Sequence, residues 1–259
     1  MAVIDIREAT IKLWDGTLPT KTVLTDVVIN AASKHMGSQQ ISVTIVAPTG
    51  GTVTLGATVS GYDITITLGY ATGAITTTRA QLVTFINATA VTKALISATG
   101  TTATLCAGVA KFYLTGQQSL TCKIGEGNLT YSEQRKVKFV LDRGEMDTVK
   151  LENDEPVDLS FDFTWEFLIA SSGGVETIEE VLKKQGEGAS WLSTADDPCQ
   201  PYCVDVELLN VPGCAGIDNE QIMFEEFYKE SLAHDLKAGT VACKGRCNRV
   251  NATIRRDAA

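Results

Sequence analysis

Residues 120–169 constrain the fold more than any other stretch, because they hold two long runs in which apolar and polar residues alternate. In the first run Arg135, Val137, Phe139 and Leu141 fall on one side, and Lys136, Lys138 and Val140 on the other. In the second, Phe161, Phe163, Trp165 and Phe167 oppose Asp158, Ser160, Asp162, Thr164 and Glu166. Successive side chains of a strand point to opposite faces, so this period predicts half-buried β-strands. Their aromatic side needs a core, and their acidic side needs water or a partner. An acidic, turn-rich link, residues 141–156, joins the two runs. The simplest pairing is one antiparallel hairpin between them, which sets Lys136 and Lys138 across from Asp162 or Glu166.

A length of 259 residues suits one large β domain or two smaller ones. No apolar run is long enough for a membrane span. The opening M-A-V-I-D-I-R-E lacks a basic region followed by an apolar one, so the expectation is a chain made and kept in a cytoplasm. A formal net charge of −9 argues against sequence-independent gripping of nucleic acid, which relies on Lys and Arg at phosphates. A negative wall would instead keep passing DNA from sticking.

Composition shifts sharply within residues 41–117, which hold 19 threonines and only four charged residues, Asp63, Arg79, Lys93 and Lys111. Residues 41–46, 52–59, 62–68 and 103–114 read as strands with threonine outward. Residues 78–97 read as one or two helices, capped at Thr77 or Thr78. The segment is a small α+β module in β-β-β-α-β order. Downstream, Thr177-Ile178-Glu179-Glu180 is a capping box that opens a short helix with Ile178, Val181 and Leu182 on one face. Residues 202–209 read as a strand, 221–228 and 232–236 as strands or one bent strand, and 240–254 as the strand that closes the sheet, with a loose tail after it.

Chemistry is sparse. Cys199-x3-Cys203 and Cys243-x3-Cys247, with Cys214 between, place two thiol pairs around the C-terminal sheet. Such pairs fit free thiols, a structural tetrahedral zinc or disulfides, and Lys244-Gly245-Arg246 would make a tight basic turn that lowers thiol pKa values. His234 and Asp235 are neighbours, so in a strand they face apart and form no base–orienter pair. Gly125-Glu126-Gly127 is an isolated fragment that reads as a bend. Asp162 and Glu166 share a face but stand roughly 13 Å apart, beyond the separation of paired catalytic carboxylates. No enzymatic activity and no catalytic residue is expected.

The strings K-I-G-E-G-N-L-T-Y-S-E-Q-R, L-D-R-G-E-M-D and E-P-V-D-L-S-F-D-F-T-W-E-F-L resemble the tail tube proteins of tailed bacteriophages. So do P-Y-C-V-D-V-E-L and E-S-L-A-H-D-L-K-A-G-T-V-A-C-K-G-R-C-N further along. The resemblance implies a mainly β, tail-tube-type sandwich or barrel with one flanking helix, built from residues 1–20 and 118–259. Residues 21–117 fall outside it and read as an inserted α+β domain on the tube exterior. Residues 2–14 would then be the first strand, paired with 119–124 across the insertion.

The implied function is a structural virion protein whose hexameric rings stack into a tail tube, the conduit for DNA ejection. Its partners would be copies of itself, with tail terminator, tape measure and baseplate or tip proteins. DNA would pass without specific binding, no membrane would be involved, and the protein would reside in the virion tail after assembly in the host cytoplasm. Asp158, Asp162 and Glu166 are then candidates for a DNA-repelling lumen face. Asp142, Arg143, Glu145, Asp147, Glu152 and Asp154, in the link, are candidates for stacking one ring on the next. Two other classes fit the same sequence: a capsid decoration or adhesion module, favoured by the threonine-rich segment, and a zinc-dependent enzyme.

Overall fold

The computed structural model describes residues 9–35, 40–122, 128–143, 145–165, 176–211 and 219–256. The chain divides into two compact units, an outer one of Met1–Gly16 with Gln118–Ala259 and an insert, Thr17–Gln117. Strand β1 (Ala9–Trp14) starts the outer unit. The insert holds β2 (Thr20–Val23), β3 (Val27–Ala31), β4 (Ser42–Val46), β5 (Gly56–Ser60), β6 (Asp63–Thr67), β7 (Tyr70–Ala71) and β8 (Ala74–Ile75), then helices α1 (Arg79–Ala88) and α2 (Ala90–Lys93), then β9 (Ile96–Thr99) and β10 (Val109–Tyr113). The outer unit resumes with β11 (Ser119–Cys122), β12 (Leu129–Ser132), β13 (Arg135–Asp142), β14 (Glu145–Asp154) and β15 (Val157–Thr164). It ends with helix α3 (Ile178–Lys183) and strands β16 (Val204–Asn210), β17 (Glu220–Asp235), β18 (Thr240–Cys247) and β19 (Thr253–Arg256).

The outer unit is mainly β. Its large sheet runs β11-β1-β16-β17-β18-β15-β12, with β19 beside β17, and among the described residues no sheet closes into a barrel. β1 pairs with β11 across the insertion, Ile11 opposite Cys122, as the resemblance implied. Alternation does what it predicts in β15, where Val157, Leu159, Phe161 and Phe163 are buried and the residues between them are half-exposed. These four join Ile11, Leu13, Val206, Phe224 and Phe227 in one core. The Phe161 and Phe227 rings lie 5.7 Å apart. Helix α3 seals that core with Ile178, Val181 and Leu182. Thr177 and Glu180 cap its N-terminus reciprocally, which satisfies amides the helix itself cannot.

β17 is one bent strand of sixteen residues. Its first part pairs with β16 and β19, and its second with β18. The bend has a local cause. Opposite Asp205, β17 carries two residues, Glu225 and Glu226, where the register demands one. Glu226 sits at φ 52° in this bulge and is fully buried. Asp205 Oδ1 accepts the Glu226 amide at 2.9 Å. The Glu226 carboxylate accepts from the Asp196 amide at 2.7 Å and from Asn248 Nδ2 at 2.6 Å. A buried carboxylate is tolerable only when so satisfied. The bulge thus redirects the strand between its two partners.

The insert has its own core of Val43, Ile45, Ile64, Ile66, Leu82, Ile86 and Ile96, beneath the sheets β10-β4-β6-β5 and β2-β3-β9. Ile64 and Ile66 point inward while Thr65 and Thr67 stay half-exposed, the expected polarity. Thr78 caps α1 through a box with Gln81. The insert differs from expectation in several respects: the strand expected over 103–114 covers only Val109–Tyr113, that expected from 52 begins at Gly56, and the short pair β7–β8 is unexpected. Its first boundary falls after Gly16 rather than residue 20, because Thr20 already pairs with Asn30 and Thr115. Strands β2 and β3 precede the predicted module. Residues 96 and 97, read as the end of the helix, instead open the strand Ile96–Thr99, in which Ile96 and Ala98 alternate with exposed Ser97 and Thr99 beside β3.

Candidate functional site

The two amphipathic runs do not pair with each other. β15 lies between β12 and β18, with Phe161 opposite Leu129 and Cys243. The link expected to be a turn is itself a strand, β14, and β13 pairs with it from Arg135↔Asp154 to Asp142↔Glu145. The β12–β15 ladder at the sheet edge ends at Ser132↔Asp158, and β13–β14 follows it as a separate two-stranded ribbon starting at Arg135↔Asp154. Lys136 pairs with Glu155 at its root, not with Asp162. The register shifts twice: between Arg135 and Val137 the partner moves from Asp154 to Leu151, and at an Asp147 bulge the first strand advances from Val140 to Leu141 while its partner moves from Thr148 to Met146. Past the bulge, Met146 returns to the side of Val149 and Leu151.

One face of the hairpin consequently carries Val137, Phe139, Leu141, Met146, Val149 and Leu151, with Val137↔Leu151, Phe139↔Val149 and Leu141↔Met146 directly opposed. These side chains are 40–70% exposed, and no residue of β14 is buried. The expectation that the apolar side of the first run packs inward fails, because its partner strand belongs to the projection rather than to the core. Contiguous exposed apolar surface of this kind marks an interaction site. A two-stranded hairpin alone is marginal in water and needs a further neighbour. The stacking candidates Asp142, Glu145, Asp147, Glu152 and Asp154 all lie in these strands, with Arg143 in the turn at φ 50°.

The acidic side of β15 is open to solvent as expected, but it is not uniformly acidic. Asp158 Oδ1 pairs with Arg246 Nε at 2.9 Å, and that guanidinium also reaches Glu230 Oε1 at 3.6 Å. Ser160 lies between Thr130 and Lys244, and Asp162 beside Ala242. Glu166 and Phe167 lie outside the described residues. Trp165 is 43% exposed and meets His234 edge-on, with ring centres 5.4 Å apart. His234 Nε2 lies 3.0 Å from Glu179 Oε1 on α3.

The four-sulfur zinc set does not form. Cys243 and Cys247 are four residues apart on the buried face of one straight strand, so about 13 Å separates them. Lys244-Gly245-Arg246 runs through that strand and makes no turn; Gly245 faces inward and leaves no room for a Cβ beside Phe227 and the Tyr228 carbonyl. Cys203 Sγ lies 3.3 Å from Thr194 Oγ1, and Cys199 is exposed. Among the described residues no three of these thiols gather within reach of one ion. Burial pushes Cys243 and Cys247 up to about 12 and raises Cys203 as well, the opposite of the lowering expected from a basic turn. Cys214 and Gly125-Glu126-Gly127 lie outside the described residues.

Sequence reasoning missed the buried bulge around Glu226 and the strand character of β14. Arg249, which holds Glu225 at 2.9 Å and Asp196 at 3.2 Å, belongs to the same bulge network. Comparison with family models, curated proteins and solved structures found no match.

Proposed function

We propose that this chain is a structural subunit that assembles with copies of itself into hexameric rings and a stacked hollow tube, the tail tube of a tailed bacteriophage. The observation that carries the reading is the projecting hairpin β13–β14, whose apolar face finds no cover among the described residues of its own subunit. Among the described residues each of its strands also has one edge without a partner strand. Laid edge to edge with those of neighbours, such hairpins close into a continuous wall that removes both liabilities. The mixed-charge face of β15 suits a lumen wall, because the Arg246–Asp158 pair leaves no continuous cationic track to hold DNA. Tail terminator, tape measure and baseplate or tip proteins are then the partners at the tube ends.

Negative-stain microscopy of the purified chain tests the reading. Rings or tubes are expected from the full chain, and monomers from a version with residues 135–154 replaced by a short turn. Monodisperse monomers from the full chain at every concentration would overturn it. The competing reading, a decoration or adhesion module, is favoured by the insert, which has an independent core and outward threonines. That reading predicts a full-length monomer that binds preformed capsids or cells.

A further inference from the structure

The second face of the hairpin carries two like-charged pairs of opposite sign. Lys138 is directly opposite Lys150, and Asp142 directly opposite Glu145. Lys138 and Asp142 are four residues apart on an unbulged strand, so the basic and acidic pairs share a face about 13 Å apart. Among the described residues none of the four forms an ion pair. Like charges set directly across a ladder destabilise it, and here it happens twice on a ribbon that has little else to hold it. Residues 135–154 carry five basic and five acidic side chains. The charge is therefore balanced overall, and on this face the lysine pair stands nearer the root and the acidic pair at the tip, beside Arg143 in the turn.

We infer that the Asp142–Glu145 tip of one copy seats on the Lys138–Lys150 pair of the next. A ribbon with a basic patch and an acidic patch offset along its length is complementary to a staggered copy of itself. The occupant of the lysine pair is thus a second copy of this chain. Each hairpin accepts one neighbour at its lysines and offers its tip to another, a head-to-tail contact that closes into a ring where the rotation between copies allows it and extends into a filament where it does not. The inference rests on the self-assembly reading and adds to it the register of the contact and its control by ionic strength. The apolar face supplies attraction without offset; the charged face selects the stagger.

The test uses two full-length variants, Lys138→Glu/Lys150→Glu and Asp142→Lys/Glu145→Lys, followed by sedimentation velocity and negative-stain microscopy. In the first variant tip and middle are both acidic, and in the second both are basic. Each alone should need about tenfold or more concentration to assemble than the wild type, and an equimolar mixture should recover assembly because acidic and basic patches again meet. Wild-type assembly should weaken as salt rises from about 0.05 M to about 0.5 M. Circular dichroism identifies any variant that has not folded, and the milder Lys138→Gln/Lys150→Gln then takes its place with a smaller expected loss. Either variant assembling at the wild-type threshold, or a folded mixture that fails to assemble, overturns the inference while leaving self-assembly intact. A wild-type chain that never assembles overturns both.

Discussion

Replacing Phe139 and Leu151 together by threonine separates assembly from folding. Both side chains stand on the uncovered face of the hairpin, 58% and 67% exposed. Complete burial of such a side chain contributes about 1.5–3 kcal/mol, so covering what remains exposed here contributes about 1–2 kcal/mol for each. Threonine retains strand propensity but loses most of this, which removes roughly 2–3 kcal/mol per contact. The association constant should therefore fall roughly 30- to 150-fold. Neither residue belongs to the core, so the unfolding free energy of the dilute chain should stay within about 0.5 kcal/mol of wild type. Sedimentation velocity over a concentration series gives the first quantity, and urea titration by circular dichroism the second. An unchanged assembly threshold would refute the argument, as would a large loss of unfolding free energy, which would place these side chains in a packed environment.

Four further outcomes follow from the geometry. Asp205→Ala leaves the buried Glu226 amide without its acceptor and should cost about 1–3 kcal/mol in a urea titration, with Asp205→Asn costing less. Glu179 is pulled two ways: burial opposes its ionisation, but Lys183 and His234 outweigh this and hold its carboxyl below the ordinary 4.5. The stability it contributes is then present above pH 4.5 and lost as pH falls through the lower folded value; Glu179→Gln should flatten that part of a stability–pH curve. In a thiol-labelling time course near neutral pH, exposed Cys199 should react far faster than buried Cys203, Cys243 and Cys247, and equal rates would contradict the burial. Replacing residues 17–117 by Asn-Gly should leave a folded outer unit, because Asp15 and Gln118 already exchange hydrogen bonds of 3.1 and 2.8 Å; loss of its circular dichroism signal would show that the insert is required for folding.

The sequence revealed most where one local pattern had one physical solution. The alternation in β15, the Thr177–Glu180 box and the composition change around the insert each correspond to an observed element. The pairing of the first run was hidden for two reasons. Period two shows that a strand has two faces, but not which strand covers them. The apolar series Met146, Val149, Leu151 breaks period two at the Asp147 bulge, so acids on the other face made β14 look like a solvated turn. Of the three cysteine alternatives, free thiols match the described residues, whereas the zinc set treated spacing along the chain as proximity. Residues four apart meet on a helix, whereas on a strand such as β18 they are far apart. Glu226 gave no signal, since a buried glutamate at a bulge is indistinguishable in sequence from an exposed one beside Glu225.

Hydrogen exchange across residues 135–154, compared between a dilute sample and a concentrated one, probes most directly whether this ribbon is completed by a neighbouring copy. Fast exchange at the outer edges of β13 and β14 when dilute, and strong protection when concentrated, is the predicted result. Protection that is the same at both concentrations would contradict it, because the hairpin would then already be satisfied within a single subunit.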